Sequence, residues 1–214
     1  MNWFSIQKKI DKNLKILNIT RPNDLNSKKL SNFNPNIIFF PHWNWYVKEE
    51  IYQNFICIGF HTAPLPFGRG GSPIQNLILK GFKVAPVCAI KMTQELDAGP
   101  IYDKKEISLE GSLTEILDRL NEATNYLIMK LVNKLPDPTA QKGKTFKFNR
   151  LSRKDNEIKS SFSYEQIYDH IRMLDDNTYP SSYIKFKNAI FEFSEVQKSD
   201  NEITCKVKIT KALK

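Results

Sequence analysis

Apolar residues at Ile6, Ile10 and Leu14, with charged residues between them, predict a short amphipathic helix over 6–14. The segment "LKILNIT" follows with the alternation of a strand. "RPNDLNSKKLSNFNPN" is rich in turn residues and reads as a connection carrying Leu25 and Leu30. After it, "IIFFPHWNW" is a continuous apolar run, the pattern of a buried strand, ending at Pro41. "VKEEIYQNF" has helical spacing, and "FICIGFH" is a second buried strand whose last residue is His61. Ser72 as N-cap and Pro73 at the first helical position open a short helix to Leu79, and "VAPVCAIKM" is a third strand.

The longest helix runs from Ser112 to about Lys134. It opens with the capping box Ser112-Leu113-Thr114-Glu115 and carries Ile116, Leu120, Ala123, Leu127 and Leu131 on one stripe, a core face. Strands alternating with helices predict an α/β fold: a reduced, Rossmann-like, mostly parallel sheet with helices on both faces, over residues 1–135. Residues 136–160, rich in Pro, Lys and Arg and without apolar period, read as an extended connector. Residues 161–214 predict a small α+β appendage. Ser163 and Gln166 cap the helix "SYEQIYDHIRML", and two or three antiparallel strands surround a turn at Lys198-Ser199-Asp200-Asn201.

The 214 residues are 41% apolar and 12% aromatic, enough to fill one sizeable core with a small appendage. A net charge of +9 and a pI near 9.3 point to an anionic partner, whether nucleic acid, membrane surface or a phosphorylated or carboxylated small molecule. Many of the lysines sit in solvated patterns such as "KVKITKALK", so charge does not choose among these. Cys57, Cys88 and Cys205 are odd in number, far apart and free of CxxC spacing, which suits a reducing compartment and predicts neither a disulfide framework nor a metal site. No apolar run approaches the roughly 20 residues of a membrane span, and lysines occupy the N-terminus where a secretory signal would be apolar. The expectation is a soluble, cytoplasmic protein without a membrane partner.

In an open α/β sheet, ligands gather at the carboxyl ends of strands. His61 stands at such an end, followed by the stiff and glycine-rich loop "TAPLPFGRGG". The third strand ends in "KMTQELDAGPIY", which delivers Asp97. A histidine and a carboxylate from two strand ends would make a general acid/base pair. The plainer alternative, a buried histidine and a turn aspartate ahead of Gly99, stays open on spacing alone.

Together, "FHTAPLPFGRGGSPIQNLILKG" and "MTQELDAGPIY" resemble the folate-dependent formyltransferases, the superfamily of methionyl-tRNA, glycinamide ribonucleotide and sugar N-formyltransferases. His61, Leu65-Pro66, Arg69-Gly70, Pro73-Ile74-Gln75 and Leu96-Asp97-Ala98-Gly99-Pro100-Ile101 fit its pattern in order, and the resemblance covers roughly Asn36 to Ser112. "FNRLSRKDNEIKSSFSYEQIYDHIRMLDDNTYP" also resembles the start of the C-terminal region of the tRNA enzymes. The resemblance implies formyl transfer from 10-formyltetrahydrofolate to a primary amine. His61 would stabilise the oxyanion while Asp97 orients it and relays the amine proton. It further implies a folate pocket from Tyr46, Val47, Lys48, Met92, Gln94, Glu95 and Leu96, and an acceptor site from His42, Asn44, Arg69, Gly70, Ser72, Gln75 and Asn76.

Two departures stand out. Gly59 occupies the position of the pattern's catalytic Asn, and Ala63 that of its Ser; His42 and Asn44 are the candidates for the missing donor. The chain also enters the fold one unit late, which predicts a sheet of four or five strands. An amino-sugar acceptor, nucleotide-linked or a surface-polysaccharide precursor, is the first expectation, and initiator tRNA the runner-up. A folate- or sugar-binding module without turnover, and a hydrolase releasing formate, are the alternatives of other classes. The alternating "AIFEFSEV" offers either homodimer pairing or a lysine-protected edge, and His170 reads as structure.

Overall fold

The structure, a computed structural model, describes residues 14–212; the helix expected over 6–14 lies outside them except for Leu14. Its elements are α1 (Ser27–Phe33), β1 (Ile38–Phe40), α2 (Glu49–Asn54), β2 (Cys57–Thr62), β3 (Phe67–Gly70), α3 (Pro73–Leu79), β4 (Val84–Lys91), β5 (Ile101–Ser108), α4 (Leu113–Asn133), β6 (Phe146–Phe148), α5 (Tyr164–Arg172), β7 (Ser182–Phe186), β8 (Ala189–Lys198) and β9 (Ile203–Lys211). The central sheet has four strands in the order β1-β2-β4-β5, β3 pairs with β6, and β7-β8-β9 form a third sheet.

The layered α/β architecture is the expected one. Side chains alternate across β2, so Ile58 and Cys57 face opposite sides of the sheet and enter different apolar clusters. Ile58 joins Val87 and Ala89 of β4, Leu77 and Ile78 of α3, and the α4 stripe of Leu113, Ile116, Leu120 and Leu127. Cys57 joins Phe40, Ile51 of α2 and Leu25 and Leu30 around α1. The α4 capping box forms as its sequence dictates, with Ser112 accepting from the Glu115 amide and Glu115 accepting from that of Ser112.

Strand direction differs from expectation. β1 runs parallel to β2, but β4 is antiparallel to β2, and β5 to β4. For β4 and β5 the cause is connection length: they are joined by residues 92–100, too few for the crossover a parallel pair requires. "IYDKKEIS", the edge strand β5, carries charged residues at four successive positions, Asp103 to Glu106, so neither a buried run nor a clean alternation marks it in the sequence. "LKILNIT", expected as a strand, carries no backbone ladder among the described residues; without a neighbouring strand, alternation alone does not make one. The turn-rich connection after it contains α1, capped by Asn26, whose Oδ1 accepts from the Lys29 amide at 2.9 Å.

Residues 136–160 are pinned rather than free. Thr139 exchanges backbone hydrogen bonds with Ile101, and β6 runs parallel to β3 with Arg69 opposite Lys147. Ser72 does precede α3, but with φ +48° and no cap to the helix; its Oγ accepts from the Leu151 amide at 3.1 Å. The C-terminal unit has the expected capped helix and antiparallel strands. Among the described residues no helix is long and apolar enough to cross a membrane.

Candidate active site

His61 lies near the end of β2, buried at 7% exposure, with both ring nitrogens engaged. Nε2 is 2.7 Å from the carbonyl oxygen of Gly68, and Nδ1 is 3.4 Å from Asp97 Oδ2. A carbonyl oxygen only accepts, so Nε2 carries a hydrogen, and Nδ1 is the ring nitrogen turned toward the Asp97 carboxylate. Asp97 Oδ2 also accepts from the Gly70 amide at 3.0 Å. Gly68, His61, Asp97 and Gly70 therefore close a ring that ties β2, β3 and the β4–β5 loop together.

Two glycines make this approach possible. Gly70 has φ +107°, and a Cβ there would lie 2.5 Å from the Phe148 carbonyl oxygen of β6. At Gly99 a Cβ would fall 1.7 Å from the Lys91 carbonyl oxygen, so only glycine lets the β4–β5 loop close. The strand ends themselves do not bring Asp97 to His61, since Lys91 at the end of β4 lies opposite Ile58. Instead the loop folds back over the face shared by Gly59 and His61. Met92 passes there, 3.7 Å from where a Gly59 Cβ would be, and Asp97 completes the turn with φ +54°.

Of the expected folate-pocket residues, Tyr46 is 80% and Leu96 71% exposed, while Lys48 and Gln94 are also exposed. Met92 is half-buried against the second core cluster. The side chain of Val47 belongs to that core, packed with Phe40 and Ile51, because a β-branched residue before α2 fills the space between helix and sheet. Only its backbone is left to face a ligand. Glu95 pairs with Arg69 at 3.4 Å and with Lys147 at 3.5 Å.

The expected acceptor residues separate into two groups. Arg69 and Gly70 sit beside the His61–Asp97 pair. Ser72, Gln75 and Asn76 brace α3: Gln75 Nε2 donates to the Met173 carbonyl at 3.4 Å, and Asn76 Nδ2 to the carbonyls of Gly71, Ser72 and Asn149. His42, at φ +50°, reaches Asn121 of α4 through Nε2 at 3.0 Å, and burial pushes its imidazole below the ordinary range. Asn44 is exposed. Burial pushes the thiols of Cys57 and Cys88 up, to about 12 and about 11, which disfavours the thiolate at both.

Sequence reasoning missed Gln141. Its Oε1 accepts from Arg69 Nε and Nη2 at 3.0 and 2.8 Å, and its Nε2 donates to the carbonyls of Asp97 and Gly99. No local signal marks it, because the partners lie 42 to 72 residues away.

A family model for the C-terminal domain of methionyl-tRNA formyltransferase matches residues 153–210. The methionyl-tRNA formyltransferase of Bacillus cytotoxicus is 30% identical over 166 residues, covering 73% of this chain and 52% of the relative. The chain thus spans about half the length of the curated relatives it matches. The solved methionyl-tRNA formyltransferase from Clostridium thermocellum superposes with a TM-score of 0.93 at 38% identity, covering 98% of this chain and 92% of that one. A sugar N-formyltransferase from Shewanella sp FDAARGOS_354 shares the fold, at 15% identity and a TM-score of 0.60, over 88% of this chain and 76% of that one.

Proposed function

The chain belongs to the formyltransferase superfamily, and from that premise we propose that it moves a formyl group from 10-formyltetrahydrofolate to the primary amine of a small anionic amino sugar. The observation that carries this is the closed ring of Gly68, His61, Asp97 and Gly70. The amine nitrogen bonds to the formyl carbon, the carbonyl electrons move to oxygen, and collapse breaks the carbon's bond to the folate nitrogen. One proton must leave the amine and one must reach the departing nitrogen. Asp97, the more exposed member of the pair, accepts the amine proton through Oδ1 and passes it on, while His61 supplies the positive charge opposite Oδ2. With Nε2 held by Gly68, His61 acts on the oxyanion by charge rather than by a direct hydrogen bond.

Exposed Trp45, Tyr46 and Leu96 offer apolar surface suited to a flat heterocyclic co-substrate. Arg69 and Lys147, opposite one another on β3 and β6, share the single carboxylate of Glu95, which leaves one net positive charge for an acidic acceptor. A tRNA acceptor is the second reading, favoured by the match of residues 153–210 and by the net charge of +9.

Mass spectrometry decides between them, using purified protein, 10-formyltetrahydrofolate, a panel of free and nucleotide-linked amino sugars, and charged initiator tRNA. The expected result is one formyl mass on a sugar, lost by about 10²-fold or more in His61→Ala and Asp97→Asn. Formylation of tRNA alone, falling steeply with salt, selects the second reading. Folate binding without any formylated product leaves a binding module, and formate release without an amine a hydrolase.

A further inference from the structure

The walls of the site are joined by a side chain that belongs to neither. Gln141, between α4 and β6, donates from Nε2 to the carbonyl oxygens of Asp97 and Gly99, both at 2.8 Å, and accepts two hydrogen bonds from Arg69 on Oε1. An amide has two N–H donors and an oxygen with two lone pairs, so its full capacity is used within the protein and none remains for a substrate. We propose that Gln141 is a positioning residue for the His61–Asp97 pair, fixing the backbone of Asp97 so that Oδ2 meets both His61 and the Gly70 amide.

The need for such a clamp follows from the loop. Asp97 is in the left-handed region at φ +54°, a conformation that persists where surrounding contacts over-determine it. Within the loop, Thr93 Oγ1 and the Ala98 amide both turn to the Glu95 carbonyl, leaving the Asp97 and Gly99 carbonyls to a partner from outside. Gln141 supplies it, and Arg69 on the opposite wall holds the other end of the same amide. The chemistry is specific to glutamine. Glutamate would still receive Arg69 but would set a second oxygen against two carbonyl oxygens, and alanine would lose both ends.

This inference rests on the reading of His61 and Asp97 as the reacting pair, so its test includes a readout that needs no turnover. The chain has three histidines, and in full-length protein labelled with nitrogen-15 histidine, His61→Ala assigns the His61 ring signals. The expected wild-type spectrum contains a downfield, slowly exchanging His61 Nδ1–H resonance that disappears in Asp97→Asn. The same resonance is expected to be lost or broadened in Gln141→Glu and Gln141→Ala, with circular dichroism unchanged. In formyl transfer, both variants are expected to lower kcat about 10- to 100-fold while KM for the folate changes less than about threefold. Persistence of the resonance in both Gln141 variants, or its absence from the wild type, overturns the proposal. So does wild-type kcat in Gln141→Glu. A wild type that formylates nothing defeats the transfer reading alone, and the resonance still decides the role of Gln141.

Discussion

Gly59 stands two residues before His61 and faces the same side of β2, at the position where the formyltransferase pattern has asparagine. A Cβ built there would meet Met92 Cγ at 3.7 Å and Ile90 Cγ1 at 3.9 Å, ordinary contacts that leave room for a side chain once Met92 moves aside. Gly59→Asn is therefore expected to fold and to raise kcat, by up to about 10²-fold if the missing donor limits the rate, with Gly59→Ala as the silent control. Steady-state formyl transfer measures it; a Gly59→Asn protein no faster than the wild type means that the donor is supplied elsewhere. At this scale the motif residues were legible: His61 and Asp97 are a pair because their flanking loops match a linked pattern. Gln141 was not, since its partners are brought to it by the pairing of β3 with β6 and by the closure of the β4–β5 loop. Ser72, Gln75 and Asn76, expected at the acceptor site, hydrogen-bond to neighbouring backbone, and residue type alone does not say whether a polar group faces a ligand or the protein's own backbone.

Elements with local instructions formed where those instructions stand. Ser112 and Glu115 start α4, Ser163 and Gln166 start α5, and in each the side chain and backbone satisfy one another within a single turn. His170 then locks α5 in place. It is buried, its Nε2 donates to the Asp155 carbonyl at 2.9 Å, and burial lowers its affinity for a proton below the ordinary value of 6.5, with Lys159 acting in the same direction. The unfolded chain therefore binds a proton more readily than the folded one. The contribution of His170 is whole above the unfolded value and is lost as pH falls from there through the folded value. The thermal midpoint is expected to drop from about pH 7 to about pH 5, by about 2–4 °C for each kcal/mol lost. His170→Gln should flatten that slope. Equal slopes in the two proteins would place the acid sensitivity in other groups.

The two units behave as one molecule because the appendage reaches into the first core. Met173 and Leu174, which follow α5, belong to the same apolar cluster as α3 and α4. Arg172 is 1% exposed; its Nη1 donates to the carbonyls of Leu109 and Gly111, just ahead of α4, and its Nε pairs with Asp169. Arg172→Met leaves those carbonyls and a carboxylate without their partner. It is expected to cost on the order of 3 kcal/mol, read as a lower midpoint in urea unfolding followed through both units at once. Separate transitions in the wild type would show instead that the units fold independently. What the sequence alone determined is what near neighbours decide: the capped helices, the apolar strands on either side of His61, the alternating C-terminal sheet, and the order of the chemical residues. Tertiary structure decided the rest. The directions of β4 and β5, the β3–β6 pairing, the loop fold that carries Asp97 back to His61, and the clamp at Gln141 all rest on hydrogen bonds between segments far apart in the chain. Such contacts leave no period and no local composition to read.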